Sequence, residues 1–279
     1  MKDVKYFATK IVDNFFEKPQ EIVKFANSLK FKKGPYGYWP GVRSDGLHET
    51  NYNFFNSVLT KILALSFDYK HHNVNWDNVE MYFQKTYPYD NKNKKNIVNT
   101  GLVHADGEYP LVGIIYLTEG ADLESGTSIV EPIKKYTKAQ AKKDSDILTE
   151  RKIKFYKKLK DKVTKKDLND YGKLVNDCNS KFYEKIKVNN IFNRALLYNG
   201  NDYHKANSFF TGKKERLSLV FFIKNITSTA FFPIQRLDAN TTILNYDSSK
   251  KESSKKRNNT KNWRYNGLFF VWLEPLWRS

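Results

Sequence analysis

Cysteine is almost missing from this chain, with Cys178 alone among 279 residues. A single thiol excludes an intrachain disulfide and any zinc site built from several cysteines, and it agrees with a reducing compartment. Long apolar runs are also absent. No stretch approaches the roughly 20 residues a helix needs to cross a bilayer, and the N-terminal MKDVKYFATKIVD has neither the apolar core nor the cleavage site of a secretory signal. The expected location is therefore cytoplasmic, with no membrane partner. Acidic side chains are in deficit, 30 Asp and Glu against 48 Lys and Arg, which leaves a formal net charge of +18. Asn and Lys are abundant instead, a composition that suits an AT-rich microbial or viral genome; for a viral chain the compartment would be the host cytoplasm.

Aromatic residues, at 15%, supply the material for a sizeable core. Strand-like runs of aromatic and β-branched residues recur as YFATKIV, VEMYFQKTY, LVGIIYLT, TSIV, ALLY, RLSLVFFI, TAFFPI and GLFFVWL. Helical patterns are confined mainly to the N-terminal third and one later segment. This distribution predicts a mainly β protein with helices (α+β), a double-stranded β-helix or jelly roll with N-terminal helices, in one domain over 1–279.

The later segment, about 133–187, reads as an inserted helical hairpin. Leu148, Phe155, Leu159 and Val163 recur at three- to four-residue steps; Thr164 and Asp167 then form a capping signal, and Leu168, Tyr171, Val175, Cys178, Phe182 and Ile186 continue the stripe. The insert holds 18 basic and 8 acidic residues, more than half of the chain's net charge. The simplest reading of its lysines is a solvated helical face. The polar stretch 248–262 reads as a loop, and the aromatic C-terminus as a final strand with a packed tail.

His104 and Asp106 are two residues apart in HADGEYPLVGIIYLTEG. On an extended strand both would point to one face and could grip one metal ion. His204, in YHKANSFFTGKKERLSL, can complete the set. Two neutral imidazoles and one carboxylate suit non-haem Fe(II) and leave three adjacent positions for a chelating cosubstrate and dioxygen. His-x-Asp alone is a common accident, and the context makes the site. The doublet precedes the apolar run 112–117, and His204 lies between ALLY and the Arg-bearing RLSLVFFI. His48, His71 and His72 lack such a setting and read as ordinary polar residues. Arg216 offers a planar fork of donors that stays charged and matches a carboxylate bidentately. Ser218 lies two positions further on and faces the same way, while Gly212 supplies the turn that brings this strand back from His204.

Together these segments resemble the 2-oxoglutarate- and Fe(II)-dependent dioxygenases, in particular the prolyl-4-hydroxylase-like branch of microbial or viral type. KIVDNFFEKPQEIVKFANSLKF is similar to that branch's opening strand and helix, YWPGVRSD to its Pro-Gly-x-Arg segment, and SGTSIVEP to its Gly-Gly-x-Thr stretch, with Ser125 replacing one glycine. The resemblance implies a catalytic iron held by His104, Asp106 and His204. It also implies a 2-oxoglutarate C5 carboxylate held by Arg216 and Ser218, with Tyr116 beside it. The implied reaction converts 2-oxoglutarate and dioxygen to succinate and carbon dioxide while hydroxylating a peptidyl (prolyl-like) or small-molecule substrate. Related halogenases carry a small residue where Asp106 stands, so the carboxylate implies hydroxylation. The His204–Arg216 spacing is wider than the family's and implies a longer hairpin.

Substrate contacts are expected at the barrel mouth around Trp39, Tyr82 and Gln84. All proposed ligands lie outside the insert, so its removal is expected to leave iron and cosubstrate binding intact. Nucleic acid is compatible with the charge but not favoured, because nucleobase demethylases of that superfamily carry a second arginine shortly after the cosubstrate arginine, whereas Arg216 is followed by LSLVFF. A reading from another class is a non-catalytic basic barrel module that binds nucleic acid or an acidic protein. Metal and oxo-acid binding separates the two.

Overall fold

The computed structural model describes residues 1–33, 40–137, 139–140, 143–144, 147, 150–151, 153–155, 164–213 and 215–229. The chain divides into two units, Met1–Phe232 and Pro233–Ser279, and all described residues belong to the first. Its strands are β1 (Lys2–Asp3), β2 (Lys10–Val12), β3 (Phe31–Lys32), β4 (Gly41–Ser44), β5 (Val74–Thr86), β6 (Leu111–Tyr116), β7 (Thr127–Pro132), β8 (Phe182–Val188), β9 (Ala195–Tyr198), β10 (His204–Ala206) and β11 (Arg216–Ser228). The helices are α1 (Pro19–Ser28), α2 (Leu47–Thr50), α3 (Tyr52–Ala64) and α4 (Lys165–Asn179). Every strand pairing is antiparallel. The larger sheet runs β2-β9-β6-β11-β5-β4-β3 with β1 also on β11, and the smaller runs β10-β7-β8. The molecule is thus α+β, with antiparallel sheets and few helices.

Period-two alternation along β11 sorts its side chains between two layers. Leu217, Leu219, Phe221 and Ile223 join Met81, Phe83, Leu111, Ile115 and Leu197 in a core completed by Phe55, Leu59, Ile62 and Leu63 of α3. The four α3 positions follow the i, i+4, i+7, i+8 pattern, so they form one helical stripe against the sheet. Asn51 starts that helix by accepting a hydrogen bond from the Phe54 amide at 3.1 Å. Proline in the first turn of α1 serves the same purpose at no hydrogen-bond cost. On the other face Val220 joins Val112, Ile114, Tyr116, Leu196 and Tyr198, which pack against Ile129 of β7 and Val188 of β8. The two sheets therefore share an inner core, and residues 216, 218, 220 and 222 look into it.

The insert differs from its expected form. Thr164 and Asp167 do make a reciprocal capping box at the start of α4, and every described residue from 139 to 155 is helical. Phe155 stacks on Tyr171, with ring centroids 4.0 Å apart and planes 2° from parallel. Helix α4 ends at Asn179, however, and Phe182 and Ile186 lie on β8, paired with Pro132 and Ile129 of β7. A four-residue step fits both a helical stripe and a strand face, so the spacing alone does not choose, and the available partner β7 does. The insert also packs on the rest of the unit. Tyr171, Val175 and Cys178 are buried against Val98, Leu102 and Val103, the segment leading to His104. Leu148, Leu159, Val163, the runs 230–234 and 267–273 and the stretch 248–262 lie outside the described residues.

Candidate metal and oxo-acid site

His104 and His204 are direct neighbours across an isolated antiparallel bridge. The His204 amide donates to the His104 carbonyl at 2.8 Å and the His104 amide to the His204 carbonyl at 3.1 Å. Each ring is also tied to its own backbone, as His104 Nδ1 lies 2.9 Å from the Leu102 carbonyl and His204 Nδ1 3.0 Å from the Asp202 carbonyl. A carbonyl can only accept, so both Nδ1 atoms carry hydrogen and each ring turns its Nε2 towards Asp106. Asp106 Oδ2 lies 3.4 Å from His204 Nε2, and Oδ1 lies 3.9 Å from His104 Nε2. One ligand atom from each residue falls within 4.8 Å of the others.

The sequence expectation put His104 and Asp106 on a regular strand, and this needs correction. Only His104 is bridged. The chain then turns so that the Asp106 and Gly107 amides both donate to the Gly200 carbonyl, at 2.7 and 3.1 Å. Gly107 adopts φ +40° in that turn, a left-handed conformation that side chains disfavour. The carboxylate is brought to the imidazoles by this turn rather than by strand alternation.

Arg216 is buried at the start of β11, its guanidinium carbon 5.3 Å from the centroid of the Tyr116 ring. Burial depresses its pKa, opposed by Tyr116 and Tyr198, and arginine remains protonated through such shifts. Its Nε and the Oγ of Ser218 are buried without a hydrogen-bond partner. Orphaned polar atoms of this kind are costly and point to a ligand. Tyr116 is fully buried and donates to Thr127 Oγ1 at 2.9 Å, its pKa raised by burial first and then lowered by Arg216 and Thr127. Gly212, at φ +74°, makes the turn preceding β11.

One cavity of about 740 Å³ is lined by His104, Asp106, His204 and Arg216 together with Thr127 and Tyr198. The buried Tyr198 ring packs 4.7 Å from that of His204. Ser218 and Tyr116 are buried beside Arg216 but do not line the cavity. Of the residues expected at the mouth, Tyr82 and Gln84 line it, and Trp39 lies outside the described residues. Sequence reasoning missed Glu80 and Arg43, which also line it. The alternation of β5 carried the signal for Glu80, since 80, 82 and 84 share a face. Arg43 stood inside a motif that had been assigned no role.

Fold and site define an α+β protein with antiparallel sheets that brings two histidines, a carboxylate and a buried arginine to one cavity. Residues 8–208 match a family described as "Family of unknown function (DUF6445)", and the chain belongs to that family. No curated protein matches its sequence. Among solved structures it is similar to a Pseudomonas putida prolyl-4-hydroxylase, with 9% identity, TM-score 0.39 and coverage of 78% of this chain and 92% of that one. It is also similar to HygX from Streptomyces hygroscopicus with nickel, 2-oxoglutarate and hygromycin B bound, at 15% identity, TM-score 0.45 and coverage of 85% and 90%. A third is SnoN, a non-heme alpha-ketoglutarate-dependent epimerase from nogalamycin biosynthesis, at 11%, 0.44, and 84% and 86%.

Proposed function

We propose that the chain is an Fe(II)- and 2-oxoglutarate-dependent dioxygenase that hydroxylates a peptidyl or small-molecule substrate. The observation that carries this reading is the grouping of two histidines and Asp106 with Arg216, whose buried Nε has no hydrogen-bond partner, around the same cavity. The donor set fits ferrous iron, with neutral imidazoles and one carboxylate in a half-buried setting. The orphaned Nε of Arg216 and Oγ of Ser218 fit an anion bearing several acceptor oxygens. Bound iron and 2-oxoglutarate would supply the oxidation, with succinate and carbon dioxide as products of the oxo-acid.

The chain's own residues orient and neutralise. The Leu102 and Asp202 carbonyls hold the histidine tautomers, Asp106 contributes the negative charge, and Arg216 pairs with the C5 carboxylate while Ser218 donates to it. Tyr116 keeps the guanidinium in place by its ring. The two facing sheets fit a double-stranded β-helix, with the insert at about 133–187 belonging to the same catalytic unit. Among the described residues no helix is long and apolar enough to cross a membrane, and the single cysteine agrees with the reducing cytoplasm that we propose as its location.

The test is anaerobic titration with Fe(II) and 2-oxoglutarate. Wild-type protein is expected to develop the weak visible charge-transfer band of a metal–oxo-acid chelate, and His204→Ala to lose it. A chain that binds neither would be a binding module and not an oxygenase.

A further inference from the structure

The proposed metal and oxo-acid chemistry leaves unused a polar wall of the same cavity, built across β4, β5 and β11. Arg43 and Gln84 are cross-strand partners, and Arg43 Nε donates to Gln84 Oε1 at 2.9 Å. The guanidinium carbon sits 5.4 Å from the Tyr82 ring centroid and 5.5 Å from that of Phe222. Phe222 is in turn the cross-strand partner of Glu80. Both oxygens of Glu80 are held by phenols, Oε1 by Tyr109 at 2.9 Å and Oε2 by Tyr82 at 3.1 Å. Each phenol is pushed up to about 12, by burial first and by Glu80 second, so both stay protonated and donate at neutral pH. Burial lowers the Arg43 pKa, and the charges of Glu80 and Asp106 oppose it. Its guanidinium is therefore within electrostatic reach of the proposed metal carboxylate.

Arg43, Glu80, Tyr82 and Phe222 line the cavity that holds His104, Asp106 and His204. An oriented cation and an oriented anion thus line one cavity, with the Tyr82 and Phe222 rings beside them. A molecule that covers this wall is bound best when it presents charge complementary to both groups. A purely anionic substrate would meet Glu80, and a purely cationic one would meet Arg43. A peptide amide would offer each only a neutral partner. A molecule bearing one carboxylate and one ammonium satisfies both, while its aliphatic part packs on the rings.

We propose that Arg43 and Glu80 are the substrate-recognition pair of this cavity and that the substrate is a free zwitterionic α-amino acid, its carboxylate on Arg43 and its ammonium on Glu80. This inference rests on the oxygenase reading given above. The experiment uses the full chain loaded with Fe(II) and 2-oxoglutarate and reads succinate release. It compares the twenty proteinogenic amino acids with the same amino acids capped as N-acetyl amides. At least one free amino acid is expected to raise succinate release several-fold, with no effect from its capped form. Arg43→Gln and Glu80→Gln should each raise its KM about tenfold or more, the scale of a lost hydrogen bond to a charged group. Each variant is scored after it shows the chelate band, so misfolded protein is not read as loss of recognition. If the band forms and capped forms work as well as free ones, or no amino acid acts, the zwitterion proposal fails and the oxygenase reading stands. If no band forms, both fall.

Discussion

At the scale of the residue, the informative atoms are those that the protein leaves unsatisfied. Arg216 Nε and Ser218 Oγ are both buried and without partners, yet their removal should differ in effect. Arg216→Ala removes one side of a buried charge pair with the oxo-acid, a loss of about 3–5 kcal/mol. The 2-oxoglutarate requirement should then rise by roughly two to four orders of magnitude. Ser218→Ala removes one hydrogen bond, about 1 kcal/mol. Because the Ser218 hydroxyl has no protein partner, that variant should keep or gain thermal stability while losing affinity. Isothermal titration with 2-oxoglutarate, paired with a melting curve for each variant, checks both. Equal and negligible effects would place the oxo-acid elsewhere. The two residues were legible because alternation on an apolar strand is short-range. The missing partners were not, since burial is a property of the folded chain.

At the scale of the element, the insert is tied to the segment that leads to His104. Asn179, the last residue of α4, donates from Nδ2 to the Gly101 carbonyl and accepts the Val103 amide at Oδ1, both at 3.0 Å. This clip straddles Leu102, whose carbonyl orients His104. Asn179→Ala should weaken metal binding about tenfold, within the range for groups that orient a ligand, and Co(II) titration followed by its visible d–d bands would show it. Unchanged affinity would mean that the insert only covers the core. Whole removal of the insert should likewise impair the site, against the sequence-based expectation, because α4 buries Leu102 and Val103. A second element-scale prediction concerns the junction of β7 and β8. A Cβ added at Gly126 would stand 1.8 Å from the Val188 carbonyl oxygen, so Gly126→Ala should sharply reduce folded yield. At Gly212 nothing lies within 4 Å, and only the φ of +74° resists a side chain. Gly212→Ala should therefore cost about 1–2 kcal/mol, and comparison of the two melting temperatures tests this ordering.

At the scale of the whole molecule, ligand binding at the proposed site would be coupled to stability. His204 sits on the small sheet and Arg216 on the large one, so metal and oxo-acid bound together would hold the two sheets in register. Ligand at about 100 times its Kd adds about 2.7 kcal/mol. For a unit of this size that corresponds to a rise in Tm of roughly 5–10 °C. Redox-inert Ni(II) with 2-oxoglutarate is expected to produce that shift in wild type. In Arg216→Ala the metal's share should remain and the oxo-acid's disappear, which differential scanning fluorimetry resolves.

What the sequence by itself determined is the local chemistry: the strand character of β6, β9 and β11, the capped start of α4, and the choice of His104, Asp106, His204 and Arg216, which the fold brings to one cavity. These follow from periodicity and side-chain type within a few positions of one another. The tertiary structure decided what depends on partners distant in the chain. Phe182 and Ile186 joined a strand because β7 was there to pair with them. The turn onto the Gly200 carbonyl, and not alternation, carries Asp106 to the imidazoles. Arg43 and Glu80 came to line one cavity because β4 pairs with β5. Register across a sheet is set by long-range packing of whole faces, and no local pattern in a single strand encodes it.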